Sequence, residues 1–262
     1  MIDRIVWKRR IGAALRWIPH QPSRKIVLLY HAVGSGPMAT SMARFRRQMQ
    51  WLAGVARVVS LEALLDPQPG TGPVVAITFD DGYSSVHDAA LPVLERLGLL
   101  ATVYVNTGWI GDQQARASQP ELGHQLGETF MRWSEAEALV QAGWTVGSHG
   151  VDHLDLTRVS GDVCRRQLVQ SRDEISRRLK MDCVHFAYPW GRNTAQLRAL
   201  VRQCGYRYAA GGQHGPLRSG FDPMAFPRIN VAQDYSLEDF KAIVRGDWDY
   251  LGWVQRAKGW TS

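Results

Sequence analysis

The stretch Val74–Ser85, VVAITFDDGYSS, places an uncharged, largely apolar run directly before two adjacent carboxylates, Asp80 and Asp81. A run of four to eight β-prone residues that is apolar at nearly every position, not at alternate ones, describes a strand buried on both faces. The two acids then stand at its carboxyl end. One reading makes them a turn, with Asp81 and Gly82 reversing the chain and Asp80 capping the next helix. The other gives them chemistry, and the rest of the chain weighs on that choice.

Working outward, similar short runs occur at KIVLLYH, ATVYVN, WTVGS, VHFAY and YRYAA, with a weaker one at FPRINV. Together they make about seven strands. Between them lie segments of helical period: SMARFRRQMQWLAGV, DAALPVLERLGL, SEAEALVQAG, GDVCRRQLVQSRDEISRRLK, TAQLRALVRQCG and SLEDFKAIVRG. Strand–helix alternation predicts an α/β fold on a parallel sheet, either a barrel or a doubly wound sheet. The barrel is preferred because barrels gather working residues just past strand ends, where His31, Asp80, Asp81, Asn106, Ser148, His149, Pro189 and Asn230 fall.

With 262 residues, 45% of them hydrophobic, the chain can bury the core of one domain. Residues 1–24 form a basic amphipathic segment and 25–262 the barrel, with PQPGTGP (Pro67–Pro73) as a connector and Gly108–Gly127 as a long loop over the active face. The formal charge of +7 favours anionic surroundings: a membrane surface, a phosphorylated lipid or sugar, or nucleic acid. No recognition motif supports nucleic acid, which is not expected as a partner. Cys164, Cys183 and Cys204 lack metal or redox spacing and are expected to be reduced and buried.

No run approaches the roughly 20 apolar residues of a membrane span, and no secretory h-region opens the sequence, so a cytoplasmic location is expected. In the first twenty residues, Trp7, Ile11, Ala14, Leu15 and Ile18 follow helical spacing among Arg4, Lys8, Arg9, Arg10 and Arg16. Such a helix could lie at the inner face of the cytoplasmic membrane, or pack its stripe on the domain's own core.

A second chemical signal is TVGSHGVDHLDL, where His149 and His153 follow an apolar strand with three residues between them. Two imidazoles so spaced can reach one ion, and Asp81 would complete a two-histidine, one-carboxylate set with open positions for water and substrate. A divalent metal is implied, zinc first among several first-row ions. Asp80 is then free to act as a general base toward water.

TFDDGY followed by SHGVDH resembles the polysaccharide deacetylase family, the NodB-homology domain of carbohydrate esterases that remove N-acetyl groups from amino-sugar polymers. The resemblance spans about Lys25 to Arg245. It implies a distorted (β/α) barrel of about seven parallel strands, Asp80 as catalytic base, and Asp81, His149 and His153 as ligands of a divalent metal. AYPWG (Ala187–Gly191) matches a third family motif in part, which implies that the Trp190 backbone N–H stabilises the oxyanion. The arginine of that motif is replaced by Ala187. Arg228 in FPRINV is a candidate substitute that would hold Asp80 ionised, or else a strand-edge arginine.

The family's leucine-x-histidine general acid is also absent, since the corresponding region reads RINV. His31 in LLYHAVG is the candidate proton donor to the leaving amine, or a residue lining the pocket. His87, His124, His185 and His214 are expected to be structural or surface histidines, with His124 or His214 able to visit substrate. Trp109, Trp133 and Trp190 could stack on sugar rings, Trp133 being the better core candidate. The expected activity is metal-dependent N-deacetylation of an amino sugar in a polysaccharide or lipid-linked glycan of the cell surface. The alternatives are hydrolysis of another amide, such as a formyl group, and a non-catalytic carbohydrate-binding barrel.

Overall fold

The computed structural model describes residues 4–15, 23–37, 39–65 and 72–257. The elements begin with α1 (Arg4–Leu15), β1 (Lys25–Tyr30), α2 (Met42–Val55), β2 (Arg57–Val58), α3 (Leu61–Leu65) and β3 (Val74–Phe79). After a π-helical turn at Val86–Ala90 come α4 (Leu91–Arg96), β4 (Thr102–Val105), α5 (Trp133–Gln141), β5 (Thr145–Ser148), α6 (Gly161–Leu179) and β6 (His185–Ala187). The chain closes with α7 (Ala195–Gln203), β7 (Tyr208–Ala210), β8 (Ile229–Asn230), α8 (Leu237–Arg245) and α9 (Tyr250–Ala257).

Seven parallel strands in the order β7-β6-β5-β4-β3-β1-β8 curl into a half-barrel within one α/β domain. These are the seven runs expected from the sequence. The two-residue β2 pairs with β3 off this path and had no sequence signal. All six residues of β3 are buried, as a run apolar on both faces requires. Its register with β1 runs from Lys25↔Val74 to Tyr30↔Phe79, so His31 and Asp80 emerge side by side. The weakly signalled β8 pairs with β1 through Leu28↔Ile229 and Leu29↔Asn230. This places Arg228 two strands from Asp80.

The helices cover the outer face. On α6, Ser160 caps the first turn by accepting from the Val163 N–H, and Arg177 and Arg178 stand in the last turn, where they complement the helix dipole. Phe79 stacks on Trp144, just before β5, at 5.7 Å, and Tyr30 meets Phe45 of α2 edge-on at 5.3 Å. All three cysteines are free and buried, as expected.

The N-terminal helix forms, but with its stripe turned outward. Ile5 packs on the core, Lys8 donates to the Tyr235 hydroxyl at 2.7 Å, and Arg9 forms a bidentate pair with Asp239. Gly12 lets the helix approach so closely that a Cβ there would come within 2.5 Å of the Trp248 indole. Trp7 (52% exposed) and Ile11 (37%) therefore point away from the domain, and Ala14 is exposed with them. Arg16, Ile18 and most of the Pro67–Pro73 connector lie outside the described residues. No described helix is long and apolar enough to cross a membrane.

Candidate active site

The turn after β3 carries Asp80 and Asp81, and the segment after β5 carries His149 and His153. Asp81 (φ 72°), His153 (φ 57°) and Trp190 (φ 62°) all hold left-handed backbone conformations. Among the described residues other than glycine, the fourth with positive φ is Lys180, which ends α6. Such conformations cost about 1–3 kcal/mol each and persist where the surrounding structure imposes them. Strain is thus concentrated on residues that the sequence singles out for chemistry.

Asp81, His149 and His153 converge. The Nε2 atoms of His149 and His153 lie 3.5 and 3.4 Å from Asp81 Oδ1, and all three side chains are buried. His149 Nδ1 bonds the Ala187 carbonyl at 2.8 Å, so Nδ1 carries the proton and the Nε2 lone pair faces inward. Burial pushes this imidazole down to about 4, which keeps it neutral and able to bind a metal. Asp81 Oδ1 is buried without a hydrogen-bond donor. Ligands held about 2.1 Å from a tetrahedral ion stand about 3.4 Å apart, so the observed spacing and the orphaned oxygen both fit a divalent cation.

Asp80, 3% exposed, is gripped by Arg228, whose two terminal nitrogens donate to its two carboxylate oxygens at 2.7 Å each. Burial alone would raise this carboxyl. The Arg228 guanidinium outweighs it, and Asp80 is held down to about 2. Arg228 is itself buried, accepted by the Gly211 carbonyl at 3.3 Å and lying over the Tyr104 ring at 5.6 Å. It is therefore an arginine of the site and not of a strand edge. At the expected arginine position, Ala187 is buried and its carbonyl orients His149.

Around this centre, His31 is half-buried beside Asp80, whose N–H donates to the Tyr30 carbonyl at 3.0 Å. The Trp190 N–H has no acceptor among the described residues, because the 3₁₀ turn at Pro189–Gly191 uses the amides of Gly191 and Arg192 instead. The Trp190 ring lies 5.3 Å from that of His153. The 108–127 loop folds over the same place: a Cβ on Gly123 would meet the Trp190 indole at 2.3 Å. Tyr83, whose hydroxyl accepts from the Gln125 N–H at 2.8 Å, ties the loop to the Asp80–Asp81 turn. Burial first, then the Asp81 charge, pushes its phenol far up, so it stays neutral.

The family profile described as "Polysaccharide deacetylase" matches residues 68–209, more than half of the chain. The chain belongs to the polysaccharide deacetylase family. YxkH of Bacillus subtilis (strain 168), a polysaccharide deacetylase by name, is 26% identical over 236 residues, covering 87% of this chain and 79% of its own. The poly-beta-1,6-N-acetyl-D-glucosamine N-deacetylase of Staphylococcus aureus (strain MRSA252) is 22% identical over 209 residues, covering 75% of this chain and 69% of its own. The solved structure of Streptococcus pyogenes deacetylase PplD superposes with a TM-score of 0.72 at 22% identity, over 86% of this chain and 99% of that one, and shows the same fold.

In this polysaccharide deacetylase the loop brings in one of the two histidines expected to be structural yet able to visit substrate. His124, 4% exposed, packs against Trp109 at 4.5 Å and His153 at 5.8 Å. Its Nδ1 accepts from the Gln119 N–H at 3.1 Å, while its Nε2 is buried without a partner. No spacing in the sequence marks it, since loop packing alone delivers it. Trp109 lies against His124 and Phe130, and Trp133 is a buried helix-start residue, as expected. His185 stacks on Tyr208 and reaches Glu62, His87 pairs with Asp88 on the surface, and His214 lies elsewhere.

Proposed function

We propose that this polysaccharide deacetylase removes N-acetyl groups from amino sugars of a surface polysaccharide or its lipid-linked precursor. The observation that carries the proposal is the pairing of two arrangements: Asp81, His149 and His153 aimed at one point, and Asp80 beside them held ionised by Arg228. The Staphylococcus aureus relative, named for an N-acetylglucosamine polymer, supports the substrate class.

Asp81, His149 and His153 would hold the metal, and two imidazoles with one carboxylate suit zinc. A divalent ion there would polarise the amide carbonyl and acidify water. Asp80 takes the proton from the attacking water, and its low proton affinity keeps it available as a base across the neutral range. The Trp190 N–H donates to the oxygen that becomes anionic. His31 returns a proton to the departing nitrogen, so that amide and water become free amine and acetate.

The exposed Trp7 and Ile11, with Arg10 beside them, support contact with an anionic membrane surface. Three buried, unpaired cysteines suit a cytoplasmic location at its inner face.

The test is product release from N-acetylated and N-formylated amino-sugar oligomers by the metal-loaded protein, alongside Asp80→Asn and His31→Gln. Acetate release abolished by Asp80→Asn is the expected result. Formate release alone would move the assignment to a deformylase, and sugar binding without release to a carbohydrate-binding barrel. For His31→Gln, loss of the alkaline limb with a fall of about 10²–10⁴ in kcat marks the proton donor.

A further inference from the structure

Away from the active site, a cavity of about 260 Å³ opens between the 213–227 segment and α9. One wall lies toward the start of β1. Leu217 pairs with Lys25, the first residue of β1, and Asp249 at the cavity wall pairs with Arg24 just before it. Drug-sized ligand sites run from roughly 300 to 1,000 Å³, so this one suits a headgroup-sized molecule.

The wall charges do not cancel. Arg198, Arg218 and Arg256 line the cavity together with Asp222 and Asp249. Both acids are already engaged: Asp249 accepts both terminal nitrogens of Arg24 at 2.7 and 2.9 Å, and Asp222 pairs with Arg198 at 3.2 Å. Arg218 and Arg256 are exposed and have no acidic partner among the described residues. Two guanidinium forks facing one small cavity match an anion with several oxygens.

Two further features sharpen the ligand. His214 lines the cavity with Nε2 buried and unpartnered, and its main chain is fixed by α9, since its N–H donates to Gln255 Oε1 at 2.6 Å and a Cβ on Gly252 would meet its carbonyl at 2.1 Å. On the same helix, Trp253 (60% exposed) lines the cavity and Val254 (41%) stands exposed next to it. Trp beside arginine is the pairing found where a protein meets the phosphate level of a bilayer.

We infer that this cavity binds a phosphate ester through Arg218 and Arg256, with Trp253 against the organic part of the ligand. The phosphate can belong to a lipid headgroup or to a soluble metabolite. The cavity adjoins the deacetylase centre through Gln213, whose carbonyl accepts from the Arg228 N–H at 3.0 Å, but none of its lining residues belongs to that centre or to α1.

The experiment compares the full chain with Arg218→Ala/Arg256→Ala and with Arg46→Ala/Arg47→Ala, which removes the same charge from the exposed face of α2. Each is titrated calorimetrically with inorganic phosphate and glycerol phosphate, and sedimented with vesicles of phosphatidylcholine alone or mixed with phosphatidylglycerol. Loss of both arginines is expected to weaken binding about tenfold or more, with the α2 variant and acetate release unchanged. Binding confined to the soluble esters identifies a metabolite as the source. Binding confined to the anionic vesicles identifies a lipid. No binding by the wild-type chain, or an equal loss in the α2 variant, overturns the site.

Discussion

Replacing Arg228 with methionine keeps much of the side-chain volume and removes the charge that faces Asp80. The structure fixes the sign of the change in stability. In the wild-type chain the Asp80 carboxyl sits at about 2 against an ordinary 3.8. The folded state therefore holds fewer protons than the unfolded state in that interval. The resulting stability is fully present above about pH 4 and is lost as pH falls toward 2, a contribution of about 2 kcal/mol. In Arg228→Met the burial remains and the guanidinium does not, so the carboxyl rises above 3.8 and the sign reverses. Stability then falls as pH rises through 4, and at neutral pH the uncompensated acid costs about 3–5 kcal/mol relative to the intact pair. Urea unfolding of metal-stripped protein from about pH 3 to about pH 7 measures the difference between the two chains and cancels carboxylates they share. The acid limb of kcat/KM should move upward in parallel as Asp80 becomes protonated. A variant with the wild-type midpoint, or a difference curve flat with pH, would refute the assignment of Arg228 as the partner of Asp80.

Three other outcomes are expected. The purified chain should retain about one divalent ion after dialysis, as read by elemental analysis, and His149→Ala should lose it; at a hundredfold excess of metal over Kd, chelation should lower stability by about 2.7 kcal/mol. His214, pushed down to about 4 by burial, refuses a proton that the unfolded chain accepts near 6.5. Stability should thus fall by about 2–3 kcal/mol as pH drops from 6.5 to 4, and His214→Gln should flatten that slope in thermal melts. Gly123→Ala puts a methyl group into the Trp190 indole at a left-handed position (φ 87°), so the loop should shift, raising KM more than it lowers kcat and costing about 1–2 kcal/mol in unfolding assays.

β3, β4 and β6 were legible because every residue of each is buried, and a short, continuous apolar run between helical segments seldom forms anything else, whereas β8, with Asn230 exposed, gave a weaker signal. His149 and His153 were legible because both imidazoles come from one short segment. Arg228 was different. Its partner lies 148 residues away, and the contact depends on β8 lying beside β1, a pairing of only two residues. An isolated arginine in FPRINV carries no trace of that geometry, so strand edge and active site stayed equal alternatives. The short β2 pairs with Val74 and Val75, a stretch of β3 that β4 does not reach, and α9 has a glycine in its first turn that breaks a helical reading until His214 is seen packed against it. His124 could be named only as a histidine able to visit substrate, since a loop's contacts depend on its path and not on its period. The first helix was legible as a helix, but which of its faces turned inward was settled by Gly12 and Trp248, one of them far down the chain.

The left-handed residues at the site bear on how this protein can be engineered. Asp81, His153 and Trp190 each occupy a conformation that glycine adopts at little cost. In metal-free protein, Asp81→Gly would release backbone strain and delete a buried carboxylate oxygen that has no donor. Heat challenge of a mutant library grown without added metal would accordingly enrich inactive chains at these positions. A screen for robustness needs the metal present and acetate release as a second gate, because the conformations that hold the proposed ligands are also those whose loss the folded chain tolerates best.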